Sequence, residues 1–414
     1  MIAIGLVSLL IWAGLCATGF WLCLERDDRI NGAAPEQWPD VVAVVPARNE
    51  ADVIARSLGS LAMQDYPGSF RIVLVDDNSE DGTGQIARGM GSAGPSTSSG
   101  RAGVGIKSLD PLSLSLSKAM RCAVTVLDGK PLLPGWTGKL WALSQGIAQA
   151  GTPQYLWLTD ADIEHAPDTL QRLVTIAEGK QRKLVSFMAQ LHCRTWPERS
   201  LVPAFIYYFM MLYPFNWVNR RGGWAQKIAA AAGGCVLVER ETLEAAGGIA
   251  AIRGALIDDC ALGALIKRQA PIWLGLTHRS RRIRPYRSAG EIGQMIARSA
   301  YAQLRNSPLF LVVTVAGLVL MFAVPVWLML LGQGTARIAG CLSFALMALM
   351  VQPILRFYRL SPLWGLAQPL VGLFYTGCVL WSGWQHWRGR GGMWKGRAQA
   401  PKRTSPVAQV VSGK

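Results

Sequence analysis

The chain has 414 residues, of which 51% are hydrophobic and only 16% charged, and its formal net charge is +16. This length exceeds the usual limit of one hydrophobic core, and the composition favours membrane segments attached to a soluble part. The eight cysteines contain no C-x-x-C pair and the basic residues form no nucleic-acid motif, which disfavours a zinc site, a disulfide scaffold and nucleic-acid binding.

The chain begins with an apolar, uncharged stretch at residues 2–24 that is long enough to span a bilayer. It lacks a positively charged start and a small-residue cleavage site. We therefore predict a transmembrane anchor at residues 1–24 rather than a signal peptide. A polar linker at residues 25–39 follows it.

The next segments have the order strand, helix, strand. Residues 40–46 predict a buried strand, residues 51–63 a helix, and residues 71–75 a second strand. Acidic residues after the second strand are typical of nucleotide-binding α/β units, whose ligands lie at the carboxyl ends of strands. Residues 89–117 are rich in Gly and Ser and predict a flexible surface insertion.

The central motif of the chain is Asp160-Ala161-Asp162, which ends a short apolar and aromatic segment. A strand at residues 122–127 and a helix at residues 140–150 are predicted before it. If the chain stays extended through Ala161, both carboxylates face one side of the sheet edge. Two hard oxygen ligands at this spacing suit Mg²⁺ or Mn²⁺, which can neutralise a diphosphate. The alternative is a polar strand end before a turn at residues 164–167.

Further elements of the soluble part are predicted as helices at residues 167–178 and 257–268 and strands at residues 183–191, near 238 and at 271–276. The aromatic stretch at residues 201–218 is interrupted by two prolines. It is compatible with either a buried core or a membrane interface. Residues 279–287 form a basic connector.

The C-terminal third contains the remaining apolar segments. Apolar residues among polar ones predict an interfacial helix at residues 289–305. Apolar runs near residues 308–331, 336–355 and 362–384 predict a transmembrane region at residues 306–385. Pro and Gly interrupt the third run, which leaves it open between spanning and re-entrant. The basic tail at residues 386–414 favours the cytosolic side by the positive-inside rule, which requires the re-entrant alternative.

Five motifs in order carry a resemblance to known enzymes. They are Val45-Pro46-Ala47-Arg48-Asn49-Glu50, Val75-Asp76-Asp77-Asn78-Ser79, Gly138-Lys139, Asp160-Ala161-Asp162 and Asp258-Asp259. Their order over residues 40–305 resembles the family 2 glycosyltransferases with a GT-A fold. The phrases at residues 135–142 and 256–260 are similar to hopene-associated membrane glycosyltransferases, which are related to ceramide glucosyltransferase-like enzymes.

The resemblance implies an α/β, Rossmann-like, nucleotide-sugar-binding domain at residues 40–288, with one N-terminal and about three C-terminal transmembrane helices. It also implies which side chains bind the donor: Pro46, Ala47, Glu50, Asp76, Asp77, Lys139, Asp160 and Arg298. The first loop would hold the base and ribose, and Asp77 with Asp76 would accept a hydrogen bond from the base. Lys139, at a helix start, would supply a cation to the diphosphate. The alternatives are a solvated strand end and an ordinary surface lysine.

The resemblance also implies the metal and the base. Asp160 and Asp162 would hold a divalent ion, Mg²⁺ or Mn²⁺. Asp259 would take the proton of the acceptor hydroxyl, with Asp258 as the neighbouring carboxylate that raises the affinity of the pair for a proton. The alternative for this pair is a helix N-cap with acidic residues complementing the dipole. A single displacement would invert the anomeric centre.

One departure from the family concerns the acceptor. Membrane members often carry Q-x-x-R-W before the first C-terminal transmembrane run, and the nearest match here is Met295-Ile296-Ala297-Arg298-Ser299. It keeps Arg298 but lacks the Gln and the Trp, and in processive synthases that Trp helps to hold the acceptor sugar. The absence argues against a processive polymerase and for transfer of one sugar to a lipid.

The sequence therefore predicts a metal-dependent, inverting, membrane-bound glycosyltransferase at the inner (cytoplasmic) membrane, with a cytosolic catalytic domain. Its donor would be a nucleotide sugar, UDP-linked by resemblance, and its acceptor a lipid hydroxyl, with a role in hopanoid biosynthesis implied by resemblance alone. The open alternatives are polyprenyl-phosphate glycosyl transfer and a processive polysaccharide synthase. A non-enzymatic scaffold would have lost a carboxylate among the five motifs, and a sugar nucleotidyltransferase has no use for the C-terminal apolar runs.

Overall fold

The computed structural model describes residues 1–30, 32–91 and 122–390, together with the backbone of Met393–Trp394 and Arg397–Ala398. From residue 92 onward, the insertion predicted at residues 89–117 lies outside the described residues. The same holds for most of the tail beyond residue 390. Within the described residues the chain divides into an α/β part and a group of apolar helices.

One mixed sheet of eight strands organises the α/β part. Its strands are β1 Val41–Ala47, β2 Phe70–Asp76, β3 Ala123–Asp128, β4 Tyr155–Leu158, β5 Ile163–His165, β6 Leu184–Gln190, β7 Val236–Glu239 and β8 Ile272–Arg282. They lie in the order β3-β2-β1-β4-β7-β6-β8-β5. The four strands from β3 to β4 are parallel to one another, whereas β7 is antiparallel to both of its neighbours. The strand ends at residues 47, 76 and 158 therefore meet at one edge.

Helices cover both faces of this sheet. In chain order, the described α-helices up to residue 303 are α1 Ile2–Ala17, α2 Ile54–Ala62, α3 Thr83–Gly91, α4 Gly138–Gln149, α5 Thr169–Gly179, α6 Trp196–Leu212, α7 Phe215–Val218, α8 Arg240–Ala245, α9 Asp258–Lys267 and α10 Ala289–Gln303. Every residue of β1 is buried, because alternate side chains enter the cores on opposite faces of the sheet. This is why β1 is a continuous apolar run, as in other parallel sheets that are covered on both faces.

The Asp160-Ala161-Asp162 motif lies in a turn rather than in extended chain. Strand β4 ends at Leu158, and the chain turns at residues 161 and 162 before β5 begins at Ile163. The first two residues of the polar turn predicted at residues 164–167 are therefore strand, and the chain turns at residues 167 and 168. The cause is tertiary: β5 pairs with β8, and the buried ring of His165 contacts the hydroxyls of Thr159 and Ser280, each at 2.9 Å.

The same pairing lengthens the last strand. Strand β8 was predicted to end near residue 276, but it continues to Arg282 because Arg282 pairs with Ile163 of β5. The first four residues of the predicted basic connector are therefore strand.

The aromatic stretch at residues 201–218 is mainly core. Helices α6 and α7 cover it, and the side chains of Val202, Ile206 and Tyr207 are almost completely buried. The ring of Tyr207 contacts Phe20, and the ring of Tyr208 contacts Tyr375. Helix α6 is therefore packed between the sheet and the apolar helices, a placement that hydropathy alone does not distinguish from an interface.

Three C-terminal helices are long and apolar enough to cross a membrane, at Pro308–Leu331, Gly334–Phe357 and Pro362–Trp387. They consist of α11 Pro308–Leu318, a π-helical turn, α12 Val324–Leu331, α13 Gly334–Met350, α14 Gln352–Phe357, a 3-10 turn and α15 Gln368–Trp387. The three predicted runs are confirmed as helices, and they indicate membrane association.

The N-terminal helix is shorter than predicted. Helix α1 ends at Ala17, and Gly19 then adopts φ +68°, a left-handed conformation that favours glycine. Sixteen residues are fewer than the roughly 20 of a typical spanning helix. The helix packs into the C-terminal group, where Trp12 Nε1 donates to the carbonyl oxygen of Met321 at 3.0 Å.

Candidate active site

Lys139 is the centre of the candidate active site. It lies in the first turn of α4, and its Nζ is 2.8 Å from Asp160 Oδ1 and 2.9 Å from Asp258 Oδ2. Asp160 comes from the turn after β4, whereas Asp258 begins α9. Three elements that are distant in sequence thus converge on one ammonium group.

These side chains line one small cavity at the carboxyl edge of the sheet. Apolar side chains form much of its lining, and four of the five sequence motifs and one glycine also contribute to it: Pro46, Lys139, Asp160, Gly233, Asp258 and Asp259. A Cβ atom at Gly233 would lie 3.1 Å from Lys139 Nζ and 3.4 Å from Asp259 Cβ. The glycine therefore keeps the cavity open between the cation and the second aspartate.

The charges of this cluster depend on one another. Burial alone would lower the pKa of Lys139, but the carboxylates of Asp160 and Asp258 raise it, so the ammonium stays charged. Burial raises the pKa of Asp160, and the charge of Asp162 acts in the same direction against the opposing effect of Lys139. Lys139 is accordingly a fixed cation in a site with an excess of carboxylates.

Asp259 differs from its neighbour in its partners. Its Oδ2 accepts from the backbone N–H of Gly233 at 3.1 Å, and its Oδ1 accepts from that of Cys260 at 2.7 Å. Burial and the charge of Asp258 raise the pKa of Asp259 to about 6, although Lys139 and the two N–H groups oppose the shift. A carboxylate with this pKa is ionised at neutral pH and is a better proton acceptor than an ordinary aspartate.

Asp162 is neutralised by an arginine that the sequence did not single out. The Nε of Arg282, the last residue of β8, is 2.9 Å from Asp162 Oδ2. The guanidinium also lies over the ring of Tyr286, 4.5 Å from its centroid. In the sequence Arg282 is one of several arginines in an apparent connector, and only the pairing of β8 with β5 shows which of them faces Asp162.

The predicted nucleoside-binding residues lie at the ends of β1 and β2. The backbone N–H of Asp77 donates to the carbonyl oxygen of Ala47 at 2.8 Å, and Arg48 Nη1 donates to the carbonyl oxygen of Asp77 at 2.6 Å. Asp76 lines a polar cleft of about 300 Å³, whereas the carboxylate of Asp77 lies 3.7 Å from Arg48 Nη1. Glu50 Oε2 is 2.7 Å from Arg284 Nη2.

Asp76 is held at the surface of this cleft by close backbone packing. Its Oδ1 accepts from the backbone N–H of Ser79 at 3.1 Å. A Cβ atom at Gly84 would lie 2.1 Å from its Oδ2, so a larger residue at that position would displace the carboxylate. Asp76 is therefore better placed than Asp77 to meet a ligand in the cleft.

Arg298 stands apart from the other predicted site residues. Its exposed side chain projects from α10, and its charge contributes to lowering the pKa of Tyr286, whose net shift is upward because of burial. Within the described residues, no hydrogen bond or ion pair joins Arg298 to Asp160 or Asp162. The structure thus brings together the lysine and the four carboxylates, but it does not bring Arg298 to them.

The carboxylates of Asp160 and Asp162 fit a hard divalent cation. Mg²⁺ and related ions are usually bound by one or two carboxylates, with water and substrate phosphates as further ligands. In the described part of the chain, no three His, Cys, Asp or Glu side chains are grouped in a way that could hold a metal. A cation here would therefore depend on phosphate oxygens to complete its coordination.

Comparison with known families gives two matches along the chain. The model of glycosyl transferase family 2 matches residues 42–96, which contain the first two sequence motifs. The model of glycosyl transferase family 21 matches residues 125–398, which is more than half of the chain and contains the other three. The predicted resemblance to family 2 is confirmed for the first segment.

Known proteins that are similar to this chain include a glycosyltransferase matched by sequence and a mannosyltransferase matched by structure. Glycosyltransferase AglE from Haloferax volcanii is 39% identical over 56 residues, which are 13% of this chain and only 18% of that protein. The mannosyltransferase PcManGT from Pyrobaculum calidifontis, solved in complex with GDP-Man and Mn²⁺, is 18% identical with a TM-score of 0.51. That alignment covers 93% of this chain and 99% of PcManGT. The predicted GT-A fold is confirmed.

Proposed function

The chain belongs to glycosyl transferase family 21, and from that premise we propose that it moves one sugar from a nucleotide-sugar donor to a lipid hydroxyl, with inversion of the anomeric carbon. The observation that carries this proposal is the position of Lys139 between Asp160 and Asp258. The ammonium group of Lys139 contacts Asp160, which is suited to bind the donor. It also contacts Asp258, which is adjacent to the proposed base Asp259.

Each side chain of the cluster then has a chemical task. Asp259 takes the proton of the acceptor hydroxyl as that oxygen attacks the anomeric carbon. Lys139 faces the diphosphate and stabilises the negative charge that develops as the nucleotide leaves. Asp160 and Asp162 would hold Mg²⁺ or Mn²⁺, which would neutralise the diphosphate. The presence of Mn²⁺ with GDP-Man in PcManGT supports this choice of ion.

The nucleoside end of the donor belongs in the polar cleft beside β2. Asp76 and Asp128 line that cleft, together with Asn78 and Arg88. We assign the hydrogen bond with the base to Asp76, with Pro46, Ala47, Glu50 and Asp77 shaping the adjoining loop. A UDP-linked donor is implied by the sequence resemblance, whereas the structure of PcManGT contains GDP-Man, so UDP- and GDP-linked sugars are both to be tested.

A lipid acceptor is supported by the contacts between the base and the apolar helices. Asp259 is followed by Cys260, whose thiol interacts with the hydroxyl of Tyr213 at the end of α6. The same hydroxyl accepts from Gln303 Nε2 at the end of α10. This short series of contacts leads from the base to the helix that immediately precedes the first spanning helix, so a lipid hydroxyl can approach from the bilayer.

We propose that the third apolar helix is re-entrant. At its start, Trp364 contacts Trp196 of α6 with ring centroids 4.7 Å apart. At its end, Ser382 Oγ accepts from the backbone N–H of Tyr301 on α10 at 2.9 Å. The start of this helix thus contacts the catalytic domain, and its end contacts the interfacial helix that follows that domain. We therefore place both ends on one side of the bilayer, so that only the first two C-terminal helices cross it. The basic tail then lies beside the catalytic domain, on the cytosolic side of the inner membrane by the positive-inside rule.

The test is transfer by the purified full-length protein in lipid nanodiscs. UDP- and GDP-linked sugars are supplied with Mn²⁺ and a membrane lipid extract, and products are identified by mass spectrometry. Hopanoid alcohols are the first defined acceptors to try, because of the resemblance to hopene-associated enzymes. We expect a glycolipid of inverted anomeric configuration that is absent with the D259N variant. Transfer to soluble acceptors alone, or to a lipid phosphate without dependence on Asp259, would overturn the proposal.

A further inference from the structure

Both carboxylates suited to the metal already face a cation, because Asp160 is paired with Lys139 and Asp162 with Arg282. Asp162 and Arg282 form an ion pair at 2.9 Å in which the side chain of Asp162 is only 15% exposed. A divalent ion cannot use Asp162 Oδ2 while Arg282 occupies it at hydrogen-bond distance. Coordination of the metal through this oxygen therefore requires the guanidinium to leave it.

The backbone of Arg282 keeps the displaced guanidinium close to the site. Arg282 pairs with Ile163, and the backbone N–H of Ile283 donates to the carbonyl oxygen of Asp162 at 2.8 Å. The guanidinium rests on the ring of Tyr286, whose backbone N–H donates to buried Glu198 at 2.8 Å. With its backbone and its ring support both fixed, the side chain can move only by rotation, within a few ångströms of Asp162.

We propose that Arg282 is an exchangeable counter-ion that neutralises Asp162 in the empty site and contacts the diphosphate once a divalent cation takes Asp162. This inference rests on the proposed function, because it assumes a nucleotide-sugar donor and a metal at Asp160 and Asp162. It gives Arg282 the role for which the sequence nominated Arg298, whose side chain makes no contact with these carboxylates. A planar guanidinium suits this task, since it binds phosphate oxygens through two parallel hydrogen bonds.

The balance of charge in the site gives the proposal a distinctive consequence. In the empty site, Lys139 and Arg282 face the carboxylates of Asp160, Asp162, Asp258 and Asp259. Loss of Arg282 removes the cation that is hydrogen-bonded to Asp162, so the site attracts a divalent ion more strongly. The same loss removes a cation from the diphosphate. Substitution of Arg282 should therefore raise the affinity for the divalent ion and lower the affinity for the nucleotide.

The experiment is calorimetric titration of the full-length protein in detergent. Mn²⁺ is titrated alone, and UDP or GDP is then titrated in saturating Mn²⁺, for wild type, R282Q, R282K and R281Q. Arg281 is the matched control, because it is adjacent on β8 and carries the same charge but has an exposed side chain. We expect R282Q to bind Mn²⁺ roughly tenfold more tightly and the nucleotide roughly ten- to hundredfold more weakly, the range for a lost charge-assisted hydrogen bond. R281Q should match wild type in both titrations.

The R282K variant keeps the positive charge of the side chain but loses the planar guanidinium. It also provides a test of the proposal if R282Q does not fold. Lysine can still neutralise Asp162, so Mn²⁺ affinity should stay near that of wild type, but it cannot form the bidentate contact, so nucleotide affinity should fall. Parallel loss of both affinities in either variant would show that Arg282 only supports the structure, and unchanged nucleotide affinity would exclude the diphosphate contact. Wild-type protein that binds no nucleotide with Mn²⁺ would instead refute the proposed function itself.

Discussion

Replacement of Asp259 by asparagine should separate catalysis from binding. The asparagine keeps the size of the side chain but cannot accept the proton of the acceptor hydroxyl. Positioned general bases contribute about 10²–10⁴-fold to rate, so kcat should fall by about that factor, equivalent to about 3–5 kcal/mol of transition-state stabilisation. Donor affinity should hardly change, because in the empty site Lys139 is paired with Asp160 and Asp258 and not with Asp259.

The structural cost of the substitution can be bounded from the same geometry. Asp259 accepts from two backbone N–H groups, those of Gly233 and Cys260, one on each carboxylate oxygen. Asparagine can accept only one of these bonds and presents an amide donor to the other N–H group. An unsatisfied buried donor costs about 1–3 kcal/mol. Part of this is offset, because the raised pKa of Asp259 means that the ionised carboxylate itself is destabilising at neutral pH.

The assay combines three measurements on wild type, D259N and D258N: single-turnover transfer, calorimetric donor binding with Mn²⁺, and thermal unfolding. The expected pattern is a large loss of rate in D259N with donor affinity retained. D258N, in contrast, should weaken donor binding, because it removes one carboxylate that positions Lys139. A larger loss of turnover in D258N than in D259N would show that the two roles are reversed. An unchanged rate in D259N would indicate an acceptor that needs no base, such as a lipid phosphate.

Three further predictions concern pH, metal and topology. Because the pKa of Asp259 is raised to about 6, and protonated Asp259 cannot act as a base, the wild-type rate should fall as pH drops through about 6. The residual rate of D259N should lack this limb of the pH–rate profile. Asp160→Asn and Asp162→Asn should each weaken Mn²⁺-dependent donor binding about tenfold or more, and full transfer in excess chelator would remove the metal from the reaction. In a cysteine-free background, Gln333→Cys should react with an impermeant maleimide in intact cells. Ser405→Cys should react with it only after lysis. Labelling of both cysteines in intact cells would mean that the third apolar helix crosses the bilayer.

Local patterns in the sequence are sufficient to predict most of the sheet. Strand β1 is a continuous apolar run because both of its faces are covered, and the acidic residues that follow β2 mark the edge where ligands bind. The motif residues Lys139, Asp160 and Asp258 meet there because that edge collects the ends of strands and the starts of the helices that follow them. Periodicity and motif order carry this information without any knowledge of tertiary contacts.

The misplaced boundaries share a physical cause. Residues 163–165 are only three residues long, with a single apolar side chain at Ile163, and residues 279–282 are all polar or charged. Neither segment has a strand pattern of its own, yet they pair as β5 and the end of β8. Each segment supplies the backbone hydrogen-bond partners of the other, so neither strand can be predicted from its own residues alone. Arg282 was missed for the same reason, since its register against Ile163, and not its residue type, places it beside Asp162.

Helix α6 shows why core and membrane interface could not be separated in advance, and why both descriptions have a basis. Near its start, buried Glu198 accepts from the backbone N–H groups of Thr195 and Tyr286. Burial would raise the pKa of Glu198, but these N–H groups lower it to about 2, so the carboxylate is a permanent anchor for the segment that supports Arg282. The middle of the helix contacts α15 through Tyr208, while just beyond its end Tyr213 contacts Cys260 beside the base. Helix α6 therefore contacts the membrane helices and also the supports of Arg282 and of the base. The proposed transfer from an aqueous donor to a lipid acceptor requires such a connection between the two parts of the molecule.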